Sequence, residues 1–286
     1  MLNTASSWRL DLARRLASAY TANPHVQAVI LGGSAARGYA DRYSDVELGV
    51  FWSEPPTHKE RIQAAMRAGG TNLTIDAYDS TQDVWIEDYF VHDVNIDLVH
   101  RTTRTTDRLL ADVIDDQDVA LYKQTLIHAL RHAIPLTDTT LLATWQARTN
   151  TYPDALIHAM VATHLAFKPW WSVEVLAQRE SLILVHQAIC TVSERLLAAL
   201  LGINRVYHPG LKWLPQVIQE LKIAPYELEQ RLRHCFYGDV HQRVHIAGVL
   251  IEDTFDLAAR YVPTLDLTPR RTYFRQRRTP IDHPPV

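Results

Sequence analysis

The stretch "LGGSAARGYADRYSDVELGVFW", residues 31–52, decides how this chain is read. An apolar run ends in Gly32 and Gly33, Ser34 follows at once, and after a short spacer Asp45 and Glu47 flank Val46 as a second apolar run begins. Glycine has no Cβ, so the backbone can turn sharply there and approach a ligand closely. Ser34 then opens a helix, and its hydroxyl and the first free N–H groups gather where phosphate oxygens fit. Arg37, one turn on, adds positive charge. On the following strand the two-residue period sends Asp45 and Glu47 to one face while Val46 and Leu48 enter the core. Two adjacent carboxylates repel each other unless a divalent cation lies between them, and Mg²⁺ favours a few carboxylates with phosphate oxygens and water.

A third acid completes such a site. Asp97 lies in "VNIDLVH", residues 94–100, between Ile96 and Leu98, much as Glu47 lies between Val46 and Leu48. If the two strands pair, three carboxylates converge beside the glycine loop. They could then hold two metal ions that clamp the attacking and departing oxygens of a displacement at phosphorus.

Outward from this stretch, the N-terminal half alternates helix and strand. Trp8, Leu12, Leu16 and Tyr20 recur at helical spacing behind Ser6 and Ser7 as caps. "VQAVIL" (26–31) and "VELGVFW" (46–52) read as strands, with a helix over 58–68, a strand in "NLTIDAY" and an alternating run over 89–100. Helices are predicted over 106–115 and 117–133, "IPLTD" breaks the chain, and a further helix starts near Thr139. Beyond about residue 150 the pattern is all-helical. Pro153, Gly202, Pro225 and Pro263 punctuate it, and Leu182, Val185, Ile189, Val192, Leu196 and Leu200 form one apolar stripe. The expected architecture is α+β: a domain with a mixed β-sheet over 1–148, an all-α helical bundle over 149–268 and a basic, Pro-containing tail over 269–286. A cleft between the first two is the natural ligand site.

Composition narrows the classes. Hydrophobic residues make up 47% of the chain, enough for a globular core, and the formal net charge of -3 argues against a protein that coats nucleic acid. Only "RRTYFRQRR" (270–278) is strongly basic, and it reads as solvated or folded back on an acidic surface. No purely apolar run approaches the roughly 20 residues of a spanning helix, and the first turns carry Arg9, Asp11, Arg14 and Arg15. A cytoplasmic protein with reduced thiols at Cys190 and Cys235, and without a membrane partner, is expected.

The combination Gly-Ser, spacer, Asp-x-Glu and a later strand acid resembles the DNA polymerase beta type nucleotidyltransferase superfamily over residues 26–100. "GGSAARGYADRYSDVEL" is especially similar to its small-molecule branch, which includes the aminoglycoside and lincosamide adenylyltransferases. The resemblance implies a nucleotidyltransferase domain that moves AMP or another NMP from ATP or another NTP to a hydroxyl of a small-molecule acceptor, with release of pyrophosphate. It also implies two Mg²⁺ ions. By the same resemblance Gly33 and Ser34 hold the β and γ phosphates, Asp45 and Glu47 bind both metals, and Asp97 binds one metal and acts as, or positions, the general base. Glu47 departs from the commoner Asp. Ser44 matches a serine that braces the loop, and Arg37 an arginine facing the phosphates.

"QRESLILVHQAI" and "LLGINRVYHPGLKWL" are similar to a poorly characterised bacterial family with the same domain pair, which implies that Arg179 and Lys212 reach the triphosphate. Two alternatives accompany this reading: a protein or tRNA acceptor, or a nucleotide-binding regulator without catalysis. Glu87 and Asp88 stand as spare acids able to meet a cationic acceptor. His128 with His132 and His241 with His245 are each one helical turn apart, but neither pair has a third ligand, so they read as packed or solvated. Trp170 and Trp171 read as core residues.

Overall fold

The structure, a computed structural model, describes residues 2–137 and 140–281. It divides into two compact units, Met1–Thr151 and Tyr152–Val286. The first is mixed α/β. Helix α1 (Thr4–Thr21) leads to β1 (Val26–Leu31), the short α2 (Gly33–Arg37), β2 (Val46–Trp52), α3 (His58–Arg67) and β3 (Thr71–Ile75). Strands β4 (Trp85–Val91) and β5 (Val94–Thr102) follow, then α4 (Thr103–Ile114), α5 (Leu121–His132), β6 (Ile134–Pro135) and α6 (Thr140–Thr149).

The six strands form one sheet in the order β3-β4-β5-β2-β1-β6. Only β2 and β5 run parallel, and every other neighbouring pair is antiparallel. Val46, Leu48 and Val50 of β2, Ile96 and Leu98 of β5 and Tyr89 of β4 bury one face of the sheet in a core with Leu12, Leu16 and Tyr20 of α1. The alternation of strand side chains therefore sends Glu47, Asp88 and Asp97 to the other face. Within the core, the Tyr20 hydroxyl donates to Glu87 Oε1 (3.0 Å), and the Trp52 indole N–H donates to His100 Nδ1 (3.1 Å). Pairing of this kind lets polar groups remain in a dry interior.

Several elements differ from the sequence reading. The run over 89–100 is not one strand but a hairpin, reversed at His92 and Asp93, which both take left-handed φ (48° and 62°), as a type I′ turn requires. "IPLTD" contributes the edge strand β6, paired with β1. Helix α1 starts earlier than its serines, because the Asn3 side chain accepts the Ser6 N–H and caps it, and Trp8 stays partly exposed. Glu87 is no spare acid for a ligand: at 1% exposure it lies in the core.

The second unit contains α7 (Asp154–His164), α8 (Trp171–Gln178), α9 (Leu182–Ile203), α10 (Leu214–Glu220), α11 (Leu228–His234), α12 (Val240–Tyr261) and α13 (Thr268–Phe274). Long helix α9 packs on α7, α8 and α12 through Val185, Ile189, Val192, Leu196 and Leu200, while Leu182, at the head of the predicted stripe, is exposed. By length and composition α9 could cross a membrane. The core helix of a globular unit meets the same length and composition test, so this feature does not conflict with the reading of the apolar runs.

The basic segment expected as a tail is helical through Phe274 and folded back. Arg271 pairs with Glu252 (2.7 Å) and Asp256 (2.6 Å), and Phe274 is buried among Phe167, Trp170 and Phe255. The last residues of that predicted tail, 282–286, lie outside the described residues. Trp170 is a core residue, its indole N–H donating to Val244 O (3.2 Å).

Candidate functional site

The site is built where β1 ends and its antiparallel neighbour β2 begins. Gly32 N–H donates to Glu47 O (2.8 Å), which ties the glycine turn to β2. Gly33 then adopts φ +59°, and a Cβ built there would lie 2.1 Å from Glu47 Oε1. The glycine is thus required twice, by its left-handed backbone and by the carboxylate tucked beneath it. Ser34 follows in the first turn of α2 with its residue 1% exposed and its Oγ without a hydrogen-bond partner. A buried hydroxyl left unpaired costs about 1–3 kcal/mol, so this one stands ready for a ligand oxygen.

The parallel register of β2 and β5 sets Glu47 opposite Asp97, and the antiparallel register of β4 and β5 sets Asp88 opposite Asp97 from the other side. Asp45, immediately before β2, reaches the same carboxyl group. The Asp97 pKa is pushed up to about 6, first by burial, then by a hydrogen bond to Asp45 and by its charge, with Glu47 adding to the effect. Asn95 opposes these, its Nδ2 donating to Asp97 Oδ1 (2.6 Å). Asp45 Oδ1 is buried without a hydrogen-bond partner.

Among the described residues, no group of three or more Asp, Glu, His or Cys side chains is arranged to hold a metal ion as it stands. Glu47 explains much of this, because its carboxylate lies under Gly33 and within the field of Arg37. Burial lowers the Arg37 pKa, and the Glu47 charge partly restores it. The donors nevertheless suit a hard cation: all are carboxylate oxygens, one is buried without a partner, and one carboxyl is driven toward its neutral form by its neighbours.

The remaining predicted residues fall in different places. The Ser44 hydroxyl accepts the Asp41 N–H (3.0 Å) and donates to Asp41 Oδ1 (3.1 Å), so it closes the turn that delivers Asp45. Arg179 and Lys212 are exposed residues of the second unit, Arg179 at the end of α8 and Lys212 lying over the Trp213 ring. His128 and His132 stack on one another, with ring centroids 4.6 Å apart.

Three residues were missed by sequence reasoning. Arg9 of α1 is buried and donates through Nε and Nη2 to Ser44 O (2.9 and 2.6 Å), clamping the loop that carries Asp45. No local signal could show this, since it depends on α1 crossing that loop. Asn95, which orients Asp97, and Arg101, farther along the same face of β5, were both legible, because residues two and four positions from Asp97 must share its face.

The site opens into a groove of about 780 Å³ that begins at Gly32, Gly33 and Glu47 and continues along the sheet to Val99 and Arg101. Helix α5 walls it with Tyr122, Leu126 and neighbouring apolar residues.

Comparison with known proteins adds little beyond this geometry. Residues 119–214 match a family described as "Domain of unknown function (DUF4037)". No curated protein matches the chain. Among solved structures it is similar to a nucleotidyltransferase-like protein from Exiguobacterium sibiricum 255-15, at 13% identity and a TM-score of 0.45, over 93% of this chain and 86% of that one.

Proposed function

We propose that this protein is a nucleotidyltransferase that moves AMP or another NMP from a nucleoside triphosphate to a hydroxyl of a small-molecule acceptor. The observation behind the reading is the placement of Asp45, Glu47 and Asp97 on one sheet face beside the buried, unpartnered hydroxyl of Ser34. Carboxylates brought together in this way raise one another's proton affinity, and their cost is offset when cations join them.

Asp45, Glu47 and Asp97 would hold Mg²⁺, which, when bound, supplies charge neutralisation for the triphosphate and the departing pyrophosphate. Ser34 Oγ and the backbone at Gly33 cradle the β and γ phosphates, and Arg37 faces the same anion. Asn95 orients Asp97, and Arg9 keeps the Asp45 loop in register. The acceptor oxygen forms a bond to the α-phosphorus as the bond from that phosphorus to the bridging oxygen breaks. Pyrophosphate leaves with the bridging electrons, and Asp97 accepts or positions the acceptor's proton. Exposed Arg179 and Lys212 are proposed as further contacts to the nucleotide.

The test combines transfer and binding. With labelled ATP, Mg²⁺ and a pool of small hydroxyl compounds, the wild-type chain labels the pool and releases pyrophosphate. Asp45→Asn loses roughly 10²–10³-fold in rate with an unchanged circular-dichroism spectrum. Undiminished product from that variant, or ATP affinity by calorimetry that ignores magnesium, removes the reading.

A further inference from the structure

The groove beside the glycine turn has two unlike ends. Registers along the sheet place Glu47 against Asp97, Gly49 against Val99 and Phe51 against Arg101, all with the same parity and so on the same face. Ile86 of β4 lies opposite Val99. Glu47, paired with Asp97 in the sheet, therefore lines one end, the floor between is apolar, and Arg101 closes the other end. Four residues at about 3.3 Å each separate Asp97 from Arg101, roughly 13 Å in all. The volume of about 780 Å³ is that of a small-molecule site.

Arg101 is poorly provided for. It is only 9% exposed, its one hydrogen bond among the described residues runs from Nη2 to Gln82 O at 3.5 Å, and its Nε is buried without a hydrogen-bond partner among them. Asp83 is the carboxylate whose charge it feels most, but Asp83 already accepts from the Tyr78 hydroxyl (2.6 Å) and from Arg108 Nη2 (2.6 Å). Burial lowers the Arg101 pKa only to about 10, so the guanidinium remains charged at neutral pH. A buried charge with unfilled donors is costly, and a planar anion such as a carboxylate fills two of them at once.

Resting on the transfer reading above, we infer that this groove selects the acceptor: an elongated molecule with an apolar body, a carboxylate held by Arg101 and a hydroxyl delivered to Asp97 at the other end. Among the described residues Glu47 is the one carboxylate that lines the groove, so a polycation of the aminoglycoside kind finds no row of acids along its floor. The nucleotide's phosphates stay at Ser34, and the acceptor's carboxylate does not react.

Calorimetry on the full chain separates the possibilities, with 10-hydroxydecanoate, its methyl ester and 1,10-decanediol as probes. The acid binds about tenfold or more tightly than the two uncharged compounds, as expected for charge-assisted hydrogen bonds. Arg101→Gln reduces that preference to less than about twofold. Equal affinity of acid and ester for the wild-type chain overturns the inference without any variant. So does a preference that survives in a folded Arg101→Gln protein, or competition between 10-hydroxydecanoate and ATP, which would make the groove a nucleobase pocket. Arg101-dependent binding of the acid with no transfer from ATP to any acceptor would sink the proposed chemistry and leave the groove's selectivity standing. Transfer to the diol as efficient as transfer to the acid would do the reverse.

Discussion

At the scale of single residues, the two adjacent glycines are not equivalent. Gly32 has φ -109°, and an added Cβ would meet nothing nearer than Glu47 O at 3.8 Å. Gly33 sits at φ +59° with the Glu47 carboxylate 2.1 Å from any Cβ. Gly32→Ala should therefore cost less than about 0.5 kcal/mol. Gly33→Ala carries about 1–2 kcal/mol of left-handed backbone strain and must also push Glu47 aside. Thermal melts read the first effect and ATP binding the second: the Gly33 variant melts lower and binds ATP more weakly, while the Gly32 variant does neither. Equal behaviour of the two would show that Glu47 is not held beneath the turn. The acids themselves were legible in the sequence, because alternation alone puts Asp45 and Glu47 on one side and marks Asp97 by its apolar frame. The position of the Glu47 carboxylate was not, since it depends on a glycine turn on the neighbouring strand and on Arg37.

At the scale of elements, the β4–β5 hairpin shows what periodicity misses. "YFVHDVNIDLVH" alternates without interruption, so nothing in the pattern marks the reversal at His92 and Asp93, where neither residue is a glycine. The pairing that brings Asp88 opposite Asp97 depends on that unmarked turn. H92N/D93G supplies the residues a type I′ turn favours and should stabilise the first unit by about 0.5–1 kcal/mol, measured as a higher denaturant midpoint. A lower midpoint would mean that another turn closes the hairpin. By contrast, β1 and β2 match their predicted spans, because β-branched runs bounded by glycine or proline leave little choice. Of the two readings of the basic segment, solvated or folded back on an acidic surface, the second holds for α13, because the partners that neutralise its arginines, Glu252 and Asp256, lie one turn apart on α12. Its aromatic residue matters more than its charges: Phe274→Ala should cost about 3–5 kcal/mol, whereas Arg275→Ala, at an exposed position, should cost far less. A similar loss from both changes would mean that ion pairs rather than packing hold α13.

At the scale of the whole molecule, the helical unit gives the chain a built-in sensitivity to acid. His208 is buried, and its pKa is lowered to about 4, by burial first and by the charge of His164 second. The half-buried His164 is lowered to about 4 by burial and then by Arg195. Gly210 N–H donates to His208 Nδ1 (3.1 Å), so this ring must be neutral with its proton on Nε2, and protonating Nδ1 removes the acceptor. A base whose folded pKa lies below its unfolded value of 6.5 binds more protons when unfolded. Its contribution to stability is therefore complete above pH 6.5 and is lost as the pH falls toward 4. For His208 alone the loss reaches about 2 kcal/mol by pH 5. His208→Asn keeps an oxygen where Nδ1 accepts from Gly210 but removes the titration. Denaturant titrations of the full chain between pH 7 and pH 4.5 should thus show the wild-type midpoint falling more steeply than that of the variant, with the curves converging at the acid end. Parallel curves would mean that His208 does not stay neutral in the folded chain, and that the acid response lies with other groups.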